Sequence, residues 1–134
     1  DLAVKDKAAL LSDIAQRAAP LLACDAADLF AALTEREAQD STALGHGVAI
    51  PHARLKNIDR PLAYLVKLAQ PLAFDAPDGL PVNICCILFV PYKQADNLLT
   101  YYGLITQQFA RKKVREAMQA SASLSVFYQA FTQV

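Results

Sequence analysis

Residues 82–90, Val-Asn-Ile-Cys-Cys-Ile-Leu-Phe-Val, are apolar at nearly every position, odd and even alike. Successive side chains of a β-strand point to opposite faces, so a strand of this composition needs cover on both sides. That requirement excludes a sheet with one face in water and predicts helices on both faces of a buried strand. The order of the other segments supplies them. Asp6 is placed to cap a helix that carries Leu10, Ile14, Ala18 and Leu21 on one face, with Pro20 expected to end or bend it. A second helix is expected from Asp25, with Asp28 in its first turn and Leu29, Ala32 and Leu33 turned inward.

Residues 40–47 are rich in turn formers, residues 48–51 and 62–69 read as strands, and Asp78-Gly79 signals a turn before the apolar run. Leu2 and Val4 suggest a short strand at the start. Residues 94–111 place Leu98, Tyr102, Ile105 and Phe109 on one helical face, and further helices are expected over 114–120 and 124–131. The expected fold is α/β: a three-layer α/β/α sandwich with a mixed β-sheet flanked by helices, in a single domain over residues 1–134.

Composition narrows the function. At 134 residues the chain is long enough for a real core, and no apolar run approaches the roughly 20 residues of a membrane span. Thirteen basic and thirteen acidic residues give a net charge of zero, so neither nucleic acid nor direct membrane insertion is expected. Cys24, Cys85 and Cys86 show no metal-ligand spacing with one another or with His46 and His52, and read as structural thiols in a reducing compartment. No signal peptide is read at the start of the chain, which begins at Asp1, and the expected location is cytoplasmic.

The segment Gly47-Val48-Ala49-Ile50-Pro51-His52 carries the chemistry. Pro51 lacks an N–H and forces Ile50 into an extended conformation, so the strand is expected to end there and present His52 at its rim. A single positioned imidazole near neutral pH suits nucleophilic or proton-transfer work. No Gly-x-Ser-x-Gly motif accompanies it, which disfavours a hydrolase.

With the upstream Glu35-Arg36-Glu37 and Asp40-Ser41-Thr42-Ala43-Leu44-Gly45-His46, this stretch resembles the phosphorylation-site signature of bacterial phosphotransferase-system enzyme IIA domains of the mannitol, fructose and nitrogen-regulatory type. The resemblance extends through residues 71–82, with Asp78-Gly79-Leu80-Pro81-Val82, to the pair Val90-Pro91. It implies a phosphoryl carrier in which His52 accepts phosphate from a phosphorylated HPr-type carrier protein, without a bound cofactor or metal. It also implies a downstream regulated protein or a permease domain as the next partner. Sugar carriers of the family generally hold a second histidine where this chain has Leu98, the residue between the two glycines is often asparagine rather than His46, and Gly-Lys usually stands where Ala53-Arg54 does. The absent second histidine, in a chain read as a lone domain, points to the nitrogen-regulatory branch. The alternatives are an interaction module that has kept the fold without the transfer, and a mannitol- or fructose-type sugar carrier.

Phosphoryl transfer asks the protein mainly for positioning and charge stabilisation, so donors are expected around His52. Arg36 has the planar fork to hold two phosphate oxygens, a role that the resemblance also implies; alternatively it pairs with Glu37 or Asp40 on a solvated face. Ser41 and Thr42 offer hydroxyls, or else cap a turn. Gly45 and Gly47 would let backbone N–H groups approach a phosphate, and His46 between them is either a further contact or a solvated loop residue. A carbonyl or carboxylate is expected to fix the tautomer of His52, with no residue identified for it.

Overall fold

The computed structural model describes residues 2–120, and residues 94–96 in their backbone only. Four helices and five strands follow the order α1 (Lys7–Leu22), α2 (Ala26–Gln39), β1 (Ala43–Gly45), β2 (Val48–Ala49), β3 (His52–Leu55), β4 (Leu62–Leu72), β5 (Val82–Pro91), α3 (Ala95–Ala110) and α4 (Lys112–Ala120), with a single 3-10 turn, Tyr92–Gln94, before α3.

β5 is the axis of the sheet. β2 and β3 pair parallel to it in succession, at Val48 opposite Ile84 and His52 opposite Leu88, while β4 runs antiparallel with Leu65 opposite Cys86. One strand cannot hold three partners on one edge, so β4 lies on the edge opposite β2 and β3. β1 folds back antiparallel on β2 through the turn at Gly45-His46-Gly47. The sheet is therefore mixed. Its two faces are covered as a doubly apolar strand requires: Cys85, Ile87 and Phe89 join Leu10, Ile14, Leu29 and Leu33 of α1 and α2, whereas Ile84, Cys86, Leu88 and Val90 join Ile105, Phe109, Val114 and Met118 of α3 and α4. The three-layer α/β expectation holds. Burial raises the pKa of both β5 thiols, that of Cys86 to about 12, which fits core cysteines rather than reactive ones.

Three local readings are corrected. Pro20 does not end α1, which continues to Leu22 and closes on Ala23 in a left-handed conformation (φ 54°). The carbonyl it leaves unbonded belongs to exposed Gln16, where water can serve it. Leu22 rather than Leu21 completes the buried face, and Leu21 is exposed. The third concerns Pro51: β2 ends ahead of it at Ala49, as expected, but a new strand, β3, opens directly after Pro51. The Pro51 carbonyl accepts from Leu88 N–H at 2.9 Å, so the ladder along β5 continues and His52 opens β3. Asp6 caps α1 as expected, accepting from Ala9 N–H at 2.8 Å, and Leu2 forms a lone parallel bridge to Leu68. The helix expected over 124–131 lies outside the described residues.

Candidate functional site

His52 sits at the mouth of a cleft of about 570 Å³. α2 contributes Glu35, Arg36 and Gln39, β3 contributes His52 and Arg54, and the segment after β5 contributes Tyr92, Leu98 and Leu99. The chain delivers the imidazole here because β3 starts directly after Pro51 and its outward positions alternate His52, Arg54, Lys56, with Ala53 and Leu55 buried. The half-buried ring is held on three sides. Nδ1 lies 2.7 Å from the carbonyl oxygen of Ile50, Arg36 Nε lies 3.2 Å from Nε2, and the Tyr102 ring meets it edge-on with centroids 5.1 Å apart.

These contacts determine the tautomer. A carbonyl only accepts, so the proton is on Nδ1; a guanidinium only donates, so the lone pair is on Nε2. The tautomer-fixing group left open by the sequence is thus the carbonyl of Ile50, two residues upstream. The pKa of His52 is lowered from its ordinary value, chiefly because burial penalises the imidazolium. The Ile50 hydrogen bond opposes this shift, the charge of Arg36 adds to it, and the charge of Glu37 again opposes it. The result is a neutral imidazole whose Nε2 lone pair accepts from a cation, Arg36.

Arg36 reaches His52 from the last turn of α2, with Nη1 donating to the carbonyl of Asp40 at 2.8 Å. It pairs with neither Glu37 nor the Asp40 carboxylate. Leu98 lines the same cleft as His52. Arg54 and Lys56 both lie over the Tyr92 ring, at 5.1 and 5.6 Å, and place further positive charge along this rim.

The other predicted site residues fall elsewhere. Thr42 is buried, and its hydroxyl donates to Glu37 Oε1 at 2.6 Å. The Ser41 hydroxyl donates to the carbonyl of Phe74 and accepts from Ala43 N–H at 3.2 Å. Gly45, His46 and Gly47 form the β1–β2 turn, where the Gly47 carbonyl accepts from the N–H groups of Asn83 and Ile84. His52 pairs with Leu88, so the turn is roughly 16 Å away along β5 at the usual strand rise. Its His46 N–H donates to Asp78 Oδ2 at 2.7 Å. The anion at this turn is the chain's own carboxylate. The sequence reading missed the roles of Glu37, Tyr102 and Ile50; the Arg36-Glu37 pair was visible, but nothing in it said that Glu37 turns inward.

Comparison with known proteins identifies the family. The model of the family described as "Phosphoenolpyruvate-dependent sugar phosphotransferase system, EIIA 2" matches residues 1–134. The chain belongs to that family. Among its relatives, this EIIA chain is similar to a nitrogen regulatory protein of Pseudomonas aeruginosa, 34% identical over 110 residues that cover 82% of this chain and 71% of the relative. The crystal structure of the nitrogen regulatory protein IIA-Ntr from Neisseria meningitidis superposes with a TM-score of 0.92 at 31% identity, covering 98% of this chain and 91% of that one. A further neighbour is the Escherichia coli complex of enzyme IIA for mannitol with phosphorylated enzyme IIB, with a TM-score of 0.78 at 12% identity over 96% and 88% of the two chains. At that identity the likeness is one of fold. The membership makes the chain a component of the phosphotransferase system, in the broad class of phosphoryl carriers and regulators.

Proposed function

We propose that His52 is the phosphoacceptor, with Nε2 as the attacking atom and a phosphorylated HPr-type carrier as donor. The supporting observation is the assigned tautomer: Nδ1–H is committed to the Ile50 carbonyl, leaving the Nε2 lone pair beside Arg36 in an open cleft. Nε2 attacks the phosphorus of the donor's phosphohistidine as that P–N bond breaks and its electron pair returns to the donor ring. The new Nε2–P bond leaves the His52 ring formally cationic, with Nδ1–H still held by the carbonyl. Arg36 shifts from the lone pair to the phosphoryl oxygens, and its charge offsets the negative charge spread over them in the loose transition state. Gly45, His46, Gly47 and the hydroxyls of Ser41 and Thr42 take no part in this reading, because in this arrangement they bond elsewhere.

The regulatory branch is the better match for the output. Leu98 lines the cleft at the place where family resemblance expects a second histidine, and the Pseudomonas aeruginosa and Neisseria meningitidis relatives are called nitrogen regulatory proteins. A phosphate on Nε2 would add up to two negative charges to a rim formed by Arg36, Arg54 and the exposed Tyr92 and Leu99, a change sufficient to alter docking of a regulated protein. The setting of such a relay is cytoplasmic; no described helix is long and apolar enough to cross a membrane.

Incubation with phosphorylated HPr-type carriers, read by intact mass, tests the proposal. Acid-labile addition of one phosphate to the wild type and to His46→Ala, but not to His52→Ala, is expected. No addition from any such donor would favour the interaction module, and dephosphorylation that depends on a sugar and a matching transporter domain would favour the sugar carrier.

A further inference from the structure

Beside the reactive ring lies a buried polar chain that the transfer step itself does not use. Glu37 is 9% exposed and receives three hydrogen bonds: from Thr42 N–H at 3.0 Å, from the Thr42 hydroxyl at 2.6 Å, and from Lys7 Nζ at 3.1 Å. The Thr42 carbonyl in turn accepts from Ile50 N–H at 3.1 Å. Ile50 is the residue whose carbonyl holds His52 Nδ1–H. The path Lys7–Glu37–Thr42–Ile50–His52 therefore runs through consecutive hydrogen bonds from the start of α1, through the end of α2 and the entry to β1, to the ring.

We infer that Glu37 is a positioning residue for His52: by clamping both donors of Thr42 it fixes the backbone that aims the Ile50 carbonyl at Nδ1, and so selects the tautomer with its lone pair on Nε2. This rests on the reading of His52 as phosphoacceptor for its functional consequence, though not for its structural one. Local chemistry explains why a polar side chain is needed. The two Thr42 donors reach two different oxygens of Glu37, and an apolar side chain of similar length would leave both without an acceptor. Burial demands a counter-charge, which Lys7 supplies while lying 4.6 Å over the Phe74 ring. Ile50 has little freedom to compensate, because Pro51 restricts it to extended conformations. The lever acts on orientation: a ring freed from its carbonyl can take the other tautomer and place N–H, rather than a lone pair, toward Arg36.

Two readings on Glu37→Met and Thr42→Val test the inference: the ring 15N shifts of His52 by NMR, and the rate of phosphorylation from an HPr-type donor. Wild type is expected to show the protonated-Nδ1 pattern. Both variants are expected to show a mixed-tautomer pattern and a rate lower on the order of tenfold, as for a displaced supporting group. Thr42→Ser, which restores both donors, is the conservative rescue and should recover the wild-type pattern. Wild-type 15N shifts in a cooperatively folded Glu37→Met overturn the inference; should that variant not fold, unchanged shifts in Thr42→Val do so. The NMR reading needs no donor, so a wild-type protein that shows the Nδ1–H tautomer but accepts no phosphate sinks the proposed function and leaves the positioning role standing.

Discussion

The two histidines stand six residues apart in the chain and occupy opposite kinds of environment. His52 is half-buried, hydrogen-bonded through both ring nitrogens and packed against Tyr102. His46 is exposed, has a left-handed backbone (φ 56°), and contributes to the fold through its N–H, which Asp78 accepts. One is held by its ring, at both nitrogens; the other is held by its backbone, in a turn. The difference teaches that proximity in the motif is not proximity in the site. The turn starts the parallel ladder at the Val82 end of β5, and the ladder then carries the chain to the other end, where the imidazole of His52 emerges.

The comparison breaks most decisively at Arg36. In the proposed transfer Arg36 faces the developing phosphoryl charge; removing such a cation costs on the order of 10²–10³ in rate, so Arg36→Ala should slow phosphorylation by about that factor while His46→Ala leaves it unchanged. Equal losses in the two variants would show that the turn and the cleft act together. A smaller effect is expected from Leu98→His, which places a second imidazole in the cleft and should raise the transfer rate or the lifetime of the phosphorylated form by several-fold, on the scale of one added donor. Kinetics of labelling and of acid-free decay measure both.

Titration sharpens the same contrast. With its pKa lowered by burial, His52 should titrate by NMR with a midpoint below 6.5. The unfolded chain then takes up that proton at higher pH than the folded one. The contribution to stability is therefore intact above pH 6.5 and is lost as pH falls through the lowered midpoint. Denaturant unfolding from pH 7.5 to 5 should show this decline, and His52→Gln should remove its share. A midpoint above 6.5 would show that the Ile50 hydrogen bond and Glu37 outweigh burial.

How much of this was legible in the sequence follows from the range of the interactions. The doubly apolar β5 requires two covering layers whatever the details, so the architecture could be read from residues 82–90. His52 could be read because Pro51 imposes a local constraint, and Arg36 because its fork suits phosphate. The partners of Thr42 and Ser41 could not, since a hydroxyl serves a phosphate, a carboxylate or a carbonyl equally well; Glu37 and Phe74 claim them only once the helices and the 73–81 loop are packed. Gly45 and Gly47 signalled backbone that could approach an anion, which is what Gly45-His46-Gly47 does. That the anion is Asp78, 32 residues after His46, depends on tertiary structure.

Stability at the turn provides the next test. Gly45 has φ +96°, and a Cβ there would come within 3.1 Å of Asp78 Oδ2, so Gly45→Ala combines backbone strain with displacement of the clamp. A loss of about 1–2 kcal/mol in unfolding free energy is expected, with phosphorylation by a donor unaltered at a temperature where the variant is folded. Asp78→Ala should lower Tm in the same direction by releasing His46 N–H and Leu80 N–H. A slowed transfer in folded Gly45→Ala would connect the turn to the cleft after all.

The smallest expected effect tests the claim that His46 matters only through its backbone. Its left-handed conformation costs an L-residue about 1–2 kcal/mol that glycine avoids. Glycine, however, loses more conformational entropy on folding, which returns about 0.5–1 kcal/mol of that gain. His46→Gly should therefore stabilise the fold by about 0.5 kcal/mol, keep the Asp78 hydrogen bond, and leave phosphorylation of His52 unchanged. His46→Val is the stricter control, since a β-branched residue adopts this φ least readily; it should destabilise where glycine stabilises. If both lower stability, the imidazole of His46 has a partner of its own and the division of labour between the two histidines fails at its exposed end.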